Sequence, residues 1–482
     1  MSSSFSGIST ALSGLMAHRK AMDIAGNNIA NANTAGYTRQ RTDLQSIPGQ
    51  SVPSLFSTGS LSGNGVSVAG VTRMGDEFLN GKVRSQVSTY ADLSGRAATL
   101  VDLERIVNEP STTGLSSQLG KMWDAWSKLV TAPSSDAARV AVINTSQGVV
   151  DTLANAAGAV NSLWSQTRAE ASAQVDEANA VAADVADLNK KIKSIVASGG
   201  QANELMDQRD QAVVRLAELT GAVAEPADDS GVVDVHLRGG ALVQGGRAQR
   251  LELAGSSSMQ AVRAGGEGLH LQWASTGTDV GALVGGSVSA TFAALNGAIP
   301  DEAAVYDEIA RTLATKVNAA HTQGYLANGA PGGSFFGVLA GSSAYTATSI
   351  RLAVTETQQI AAAGPAGSGI SNTDGSNADK IFQISSDDGH GDPSAAGPDR
   401  KWAAHVVDIG SRTQTASLRS TVTQATMAAS VSDQQAAAGV SLDEETANLL
   451  VIQRAYEGAA RVLTAVDQAL DTLINRTGLV GR

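Results

Sequence analysis

Residues 441–474 read SLDEETANLLVIQRAYEGAARVLTAVDQALDTLI, and this stretch decides the fold class. Leu442, Leu449, Tyr456, Leu463 and Leu470 recur every seven residues, and Ile452, Ala459, Val466 and Leu473 form a second row at the same spacing. Two apolar rows with a heptad period make one stripe along a helix, which has to be buried against another helix. Ser441 and Glu444 stand in capping-box spacing at its start, and Gly478 is placed to end it. At 1.5 Å per residue the helix spans about 55 Å. Each seam leucine that it buries contributes roughly 1.5–3 kcal/mol.

The natural partner lies at the other end of the chain. Ile8, Leu15, Met22 and Ile29 also recur at seven residues, with Leu12 beside them. Proline interrupts helices, and windows 1–47, 134–225 and 399–482 contain none. Two ends that pair with each other make everything between them a series of insertions. Helical periodicity covers 76–108, the segment around Trp123 and Trp126 up to Pro133, 135–197 as one helix or two, 202–220 and 301–323. At Val233, Val235 and Leu237 the period changes to two, a Gly239–Gly240 pair follows, and Leu251, Leu253, Leu269, Leu271 and Trp273 alternate likewise, which predicts antiparallel strands. Residues 340–400 are rich in Gly, Ser, Asp and Ala, with strand-like pieces at 350–354 and 381–385, and helix resumes near 402.

The expected fold is therefore α+β and multidomain. Segments 1–60 and 439–482 pair as a terminal α-helical coiled coil. Segments 61–224, 290–340 and 401–438 form a helical core domain, residues 225–289 an inserted antiparallel β-rich module, and 341–400 a loop-rich insertion.

Composition removes several functional classes. The 482 residues are 42% hydrophobic and only 4% aromatic, so aliphatic helix packing supplies most of the burial. A net charge of −12 with no basic patch argues against a nucleic-acid partner. The absence of cysteine removes disulfides, thiolate metal sites and cysteine nucleophiles. No apolar run reaches 18 residues, so no membrane insertion is expected, and the first 22 residues lack the pattern of a cleaved secretory signal. Nucleophile elbows, phosphate loops and zinc-binding helix motifs are absent. The six histidines have no ligand spacing. Asn372, Asp374, Ser376, Asn377, Asp379, Asp387, Asp388 and Asp392 alternate oxygen side chains in the manner of a calcium loop, but the spacing completes no such loop. A solvated surface loop is the better reading, and no cofactor or metal is expected.

Residues 27–41 carry the most specific signal. Asn27, Asn28, Asn31 and Asn33 offer side-chain amides that imitate backbone groups, and Gly36 permits a turn before Tyr37. Such a segment ends a helix and bonds to a neighbouring backbone. With Ala11-Leu12-Ser13-Gly14-Leu15 upstream, the run resembles the N-terminal signature of the bacterial flagellar axial family of rod, hook and hook-associated subunits. The ending Gly36-Tyr37-Thr38-Arg39-Gln40-Arg41 is similar to its hook-associated protein 1 branch. Val440 to Glu445, Gln453-Arg454-Ala455-Tyr456 and Ala460-Arg461-Val462-Leu463 resemble the family's C-terminus. Ala202 to Asp210, and Val317-Asn318 with His321, Gly324, Gly329, Gly332, Phe335 and Phe336, resemble its internal stretches. Gly458 departs from the family's usual alanine, and Gln468-Ala469 from a Glu-Met pair, but neither touches the seam.

The resemblance implies a structural, non-enzymatic subunit that caps the hook and joins it to the filament. Its partners would be further copies of itself in a ring-like helical layer, the hook subunit on one side, and a second junction protein with the filament on the other. It implies uncleaved export by the flagellar type III route to the extracellular hook–filament junction, and a cytoplasmic export chaperone guarding the C-terminal helix. The assembly contacts would be Ile8, Leu12, Leu15, Met22, Asn27, Asn28, Ile29, Asn31, Asn33, Gly36 and Tyr37, with Leu442, Leu449, Ile452, Tyr456, Leu463, Val466, Leu470 and Leu473. Alternatives are a hook or distal-rod subunit, against which the Gly36–Arg39 ending and the large helical core argue, and a secreted adhesin with coiled-coil ends, which would need a site in 225–400.

Overall fold

The proline-free windows are where the longest helices form. In the computed structural model, which describes residues 2–48, 63–227, 231–365 and 373–475 (side chains within 7–472), the chain runs α1 (Ser2–Ala30), β1 (Gln40–Ser46), β2 (Val66–Arg73), α2 (Glu77–Val107), α3 (Leu115–Thr131), α4 (Asp136–Ala197) and α5 (Asn203–Thr220). There follow β3 (Val223–Pro226), β4 (Val233–Leu237), β5 (Gly240–Gln244), β6 (Arg247–Ala248), β7 (Leu251–Ala254), α6 (Met259–Arg263), β8 (His270–Trp273), α7 (Ser287–Ala293) and α8 (Ile299–His321). The chain closes with β9 (Phe336–Val338), β10 (Ile350–Leu352), α9 (Ser376–Phe382), α10 (Pro398–Ala438) and α11 (Leu442–Asn475). None of the described helices is long and apolar enough to cross a membrane.

The chain divides into two compact units. The first is Met1–Ser88, Ala178–Arg250 and Ala425–Arg482, and the second is Thr89–Glu177 and Leu251–Gln424. This differs from the division expected from sequence. The stretch 225–289 is not one module. Strands β3–β4–β5–β6 form an antiparallel sheet in the first unit, while β7 and β8 form a separate two-stranded pair in the second. Period-two patterning reveals which face of a strand is buried, but not which strand it pairs with. Leu251 faces Trp273 across the β7–β8 pair, and Leu253 faces Leu271, with Leu269 just before β8 buried in the second unit's core. The segment 381–385 is also not a strand, because the end of α9 and a 3₁₀ turn over Gln383–Ser386 occupy it. Ile381 and Ile384 are buried on a helical spacing that a short apolar run cannot distinguish from alternation. The β1–β2 hairpin has no signature in sequence, because β1 alternates no apolar residues and its outer face is exposed.

In the first unit the inner end of α4 packs on the four-stranded sheet, with Val185, Ile192, Val235, Leu237, Leu242 and Val243 buried. Asn189 pins the two together. Its amide nitrogen donates to the carbonyls of Val233 and Gly245, each at 2.8 Å, and its oxygen accepts from the Val233 amide. The β4–β5 hairpin turns through Arg238 and Gly239, both at positive φ.

The second unit is built round the buried rings of Trp126, His321, Phe335 and Phe336, with Tyr306 beside Trp402. The internal motif residues lie here. Asn318 on α8 accepts from the amides of Phe335 and Phe336 and donates to the Phe336 carbonyl and Tyr345 hydroxyl. Buried His321 bonds the Gly333 carbonyl through Nδ1 and accepts the Ala361 amide at Nε2, and burial lowers its pKa. Gly332 fits only as glycine, since a Cβ would meet the His321 carbonyl at 2.3 Å. Buried Arg139 caps three carbonyls, of Pro133, Thr357 and Ile360.

Asp399, at the start of α10, accepts from the Trp123 indole at 2.8 Å, and burial pushes its pKa up to about 6. The raised value means that the folded chain takes up a proton, between about pH 6 and 3.8, that the unfolded chain does not. The burial penalty is therefore present at neutral pH and relieved as pH falls through that window. Asp399→Asn is expected to stabilise the second unit by about 3 kcal/mol at pH 7, with the difference vanishing below pH 3.8. All five tryptophans lie in this unit, so denaturant unfolding followed by tryptophan fluorescence at the two pH values reads it alone.

Candidate functional site: the terminal helix pair and its polar lock

Helices α1 and α11 lie against each other within the first unit. A Cβ added at Gly7 would sit 3.5 Å from Val466, one at Gly14 would sit 3.6 Å from Ala459, and Asn28 Nδ2 lies 3.1 Å from Glu445 Oε2. Contacts climb one helix by sevens as they descend the other by sevens, so the pair is antiparallel. Ala459 and Val466 of the α11 seam meet α1 at these points. Leu449, Ile452, Tyr456, Leu463, Val466 and Leu470 are half-buried, whereas Leu442, at the first turn, is 46% exposed. The Leu473 side chain falls outside the described residues, as does Gly478.

On α1 the buried row is not the one the large residues suggest. Ala11, Gly14, Ala17, Ala21, Ile24, Ala25 and Asn28 are buried. Ile8, Leu15, Met22 and Ile29 flank this row half-buried, and Leu12 is 44% exposed. Small side chains let two backbones approach closely, so the bulk comes from α11 and the clearance from α1. A search for periodic large residues passes over such a row, although alanine and glycine at heptad spacing were there to be found.

At the open end of the pair the chain leaves α1, turns and returns as β1. Asn28 is 1% exposed and uses its whole hydrogen-bonding capacity. Its nitrogen donates to the Gln40 carbonyl at 2.8 Å and to Glu445, while its oxygen accepts from the Gln40 amide at 3.0 Å and the Tyr37 hydroxyl at 2.9 Å. Arg39 then grips the start of α11, with Nε 2.7 Å from Glu445 Oε1 and a terminal nitrogen 2.9 Å from Glu444 Oε2. The Arg39 amide donates to the Ala438 carbonyl. The expected capping box is half made. Ser441 accepts the Glu444 amide at 3.4 Å, and the Glu444 carboxylate goes to Arg39.

The internal motif on α5 closes the other side. Asp207 accepts the Thr38 amide at 3.2 Å, and Arg73 of β2 bridges Asp207 and Asp210 at 2.6 and 2.8 Å. Asn203 donates to the Gln40 side chain and the Val71 carbonyl, and Gln211 donates to the Ala35 carbonyl. Gly36, at φ 75°, takes a conformation that other residues rarely adopt, and a Cβ there would displace the Gln211 amide, 1.9 Å away. Burial, with Asp207, Glu204 and Glu445 nearby, pushes the Tyr37 hydroxyl up to about 12, so it stays a donor. Burial would lower the Arg73 guanidinium, but Asp210 and Asp207 outweigh it and raise it.

Of the asparagines that the sequence singles out, Asn28 alone belongs to this lock. Asn31 closes the last turn of α1 by donating to the Asn27 carbonyl, and Asn27 and Asn33 are exposed. Arg39, Gln40, Arg73, Asp207 and Glu445 build the lock and are missed by sequence reasoning. Four of them stand inside or next to the family motifs, but nothing in one dimension shows that these motifs meet. Within the acidic loop, Asp374 and Asp392 accept turn amides, and Asp387 is paired with Lys316. Asn372 falls outside the described residues.

The helical domain of flagellar hook-associated protein FlgK matches residues 100–336 as a family model, the flagella basal body rod protein family matches 8–38, and the C-terminal family of flagellar basal body rod FlgEFG proteins matches 435–476. Flagellar hook-associated protein 1 of Bacillus subtilis is 26% identical over the full length of both chains. Its counterpart in Escherichia coli is 32% identical over 52% of this chain and 45% of its own, and that in Salmonella typhimurium 30% over 69% and 59%. In fold, the chain is similar to the flagellar hook junction protein FlgK of Burkholderia pseudomallei, with a TM-score of 0.64 at 16% identity over 75% of this chain and all of that one. Rod-type ends on a helical middle define the class, the flagellar axial proteins. Within that class the chain belongs to the flagellar hook-associated protein 1 family.

Asn28→Ala would leave the Gln40 backbone, the Tyr37 hydroxyl and one Glu445 oxygen without their partner in a buried setting. The expected cost is about 3 kcal/mol, or roughly a hundredfold faster amide exchange over 36–46 and 438–449. Hydrogen exchange by mass spectrometry checks this, with unfolding read by tryptophan fluorescence expected to stay unchanged.

Proposed function

We propose that this chain is a structural subunit of the bacterial flagellum that caps the hook and joins it to the filament. The observation that carries the reading is the convergence of three family motifs, from the two ends and from α5, on one polar lock that holds α1 against α11. A lock of this kind fixes a helix pair in place and leaves its outer surface for other molecules. Its carboxylates are held by guanidinium and amide groups, which suits a scaffold and not acid–base chemistry.

The outer surface suits self-assembly. Leu12 and Met16 of α1, and Leu450, Val451 and Val462 of α11, are 44–68% exposed. Neighbouring axial subunits would cover them, completing a coiled-coil layer of terminal helices in a ring-like array. Charge supports the same division of labour. The first unit carries 21 acidic and 19 basic residues, close to balance, whereas the second carries 25 and 15. Copies can therefore crowd through their first units without mutual repulsion. Hook subunits on one side, and a second junction protein with the filament on the other, complete the set of partners. Export by the flagellar type III route follows from this position outside the cell, and a chaperone on α11 would keep its apolar row covered beforehand.

A strain lacking this chain is expected to build hooks without filaments; missing hooks would point to a hook or rod subunit, and normal flagella would end the flagellar reading. Leu463→Glu sets a charge in the half-buried seam. It is expected to fail to restore filaments, with tryptophan-detected melting of the second unit unchanged. Full motility of that mutant would separate the seam from assembly.

A further inference from the structure

The second unit, with its excess of ten acidic residues, should repel its own copies, yet one of its helices presents a charge-poor apolar face. On the second-unit part of α10, Val407, Leu418 and Val422 are 72%, 61% and 67% exposed and lie within one third of the helix circumference. Beside this row stand exposed Arg412 and Arg419, seven residues or about 10 Å apart. Arg412 has a loose contact with Asp408 at 3.5 Å, and Arg419 has no ion pair among the described residues.

The second-unit part of α4 carries the complement. Ala169 and Ala173 are exposed on one row that ends at exposed Asp176, and exposed Glu170, which accepts from Gln174 at 3.0 Å, and exposed Glu177 flank it, again seven residues apart. On α10 the arginines lie roughly 60–140° round from the apolar row, and on α4 the glutamates roughly 40–100° round from the small row, in the same rotational sense. Two such helices placed face to face bring the arginine row onto the glutamate row when they run antiparallel. The apolar side chains of one then rest on the small residues of the other.

We propose that a second copy of this chain docks here, the outward face of α10 in one copy seating antiparallel on the outward face of α4 in the next. The inference rests on the reading of the chain as a self-assembling axial subunit and names the surface through which its second units meet. Because the two faces differ, the contact is heterologous, and repetition generates a ring or helical layer instead of a closed pair.

Charge reversal tests it in a strain lacking the chromosomal copy. Arg412→Glu with Arg419→Glu, and separately Glu170→Arg with Glu177→Arg, should each lower the share of hooks that bear filaments about tenfold, since like charges then face each other. A chain carrying all four changes should recover, because the pairs are restored with reversed sign. Filament counts at wild-type level in either double variant would overturn the proposal, as would failure of the fourfold variant with unchanged tryptophan-detected melting. A second measurement is independent of charge. The chain has no cysteine, so Leu418→Cys can be labelled at one site with a photoreactive maleimide. Irradiated hook tips should yield a cross-link to residues 162–177 of another copy, and cross-linking to the hook subunit or another protein instead would overturn the proposal. If even the wild-type chain fails to restore filaments, the junction reading falls first and takes this inference with it.

Discussion

The structure of the first unit depends on one buried amide. Asn28 sits where α1 ends, and its side chain imitates a strand neighbour, pairing with both the amide and the carbonyl of Gln40. That single residue fixes where the returning strand lies, and through Glu445 it also fixes where α11 begins. A buried asparagine with all four bonds made is stable only in that one arrangement, since any shift leaves polar groups unpaired in a dry setting. The same device recurs where helices meet strands or turns. Asn189 clips β4 and Asn296 clips both backbone groups of Leu269, while Asn318 clips the Phe335–Phe336 turn. An aromatic-poor chain has few large rings with which to specify how its helices dock, and amide clips supply that specificity.

The helix pair itself has little to set its register by packing alone. Gly7, Gly14 and Ala21 repeat at seven residues along α1, so on this part of the contact a seven-residue slip would still present small side chains to α11. Buried polar groups are well suited to selecting one register among similar ones. Arg39, Asn28 and Glu445 stand at the end of the seam, so a slip of one heptad would break the bonds from Asn28 and Arg39 to Glu445 together.

Much of this was legible in sequence. The long helices follow from proline-free windows with a 3.6-residue period. The α11 seam follows from its large residues, because leucines at heptad spacing line up into one stripe only when the backbone is helical. The family followed from four short motifs. The buried row of α1 was less legible, since the eye follows Ile8, Leu15 and Met22 while the contact is made by Ala11, Gly14 and Ala21. The β1–β2 hairpin was hidden because side-chain bonds from Asn28 and Asn203 dock it, in place of an alternating apolar face on β1.

What the sequence by itself determined is local and periodic: which segments are helices, that both ends carry heptad stripes, that Gly36 and the Gly239–Gly240 pair sit where the chain turns, and that no catalytic motif is present. Only the tertiary structure decided which pieces share a unit. It separated β7–β8 from β3–β6, although β4, β7 and β8 carry the same alternation. It also brought residues 28–40, 203–211 and 441–445 to one lock. The physical reason is that helix period and strand alternation depend on neighbours a few residues away, whereas a buried amide or ion pair depends on a partner hundreds of residues distant, whose position exists only once the chain has folded.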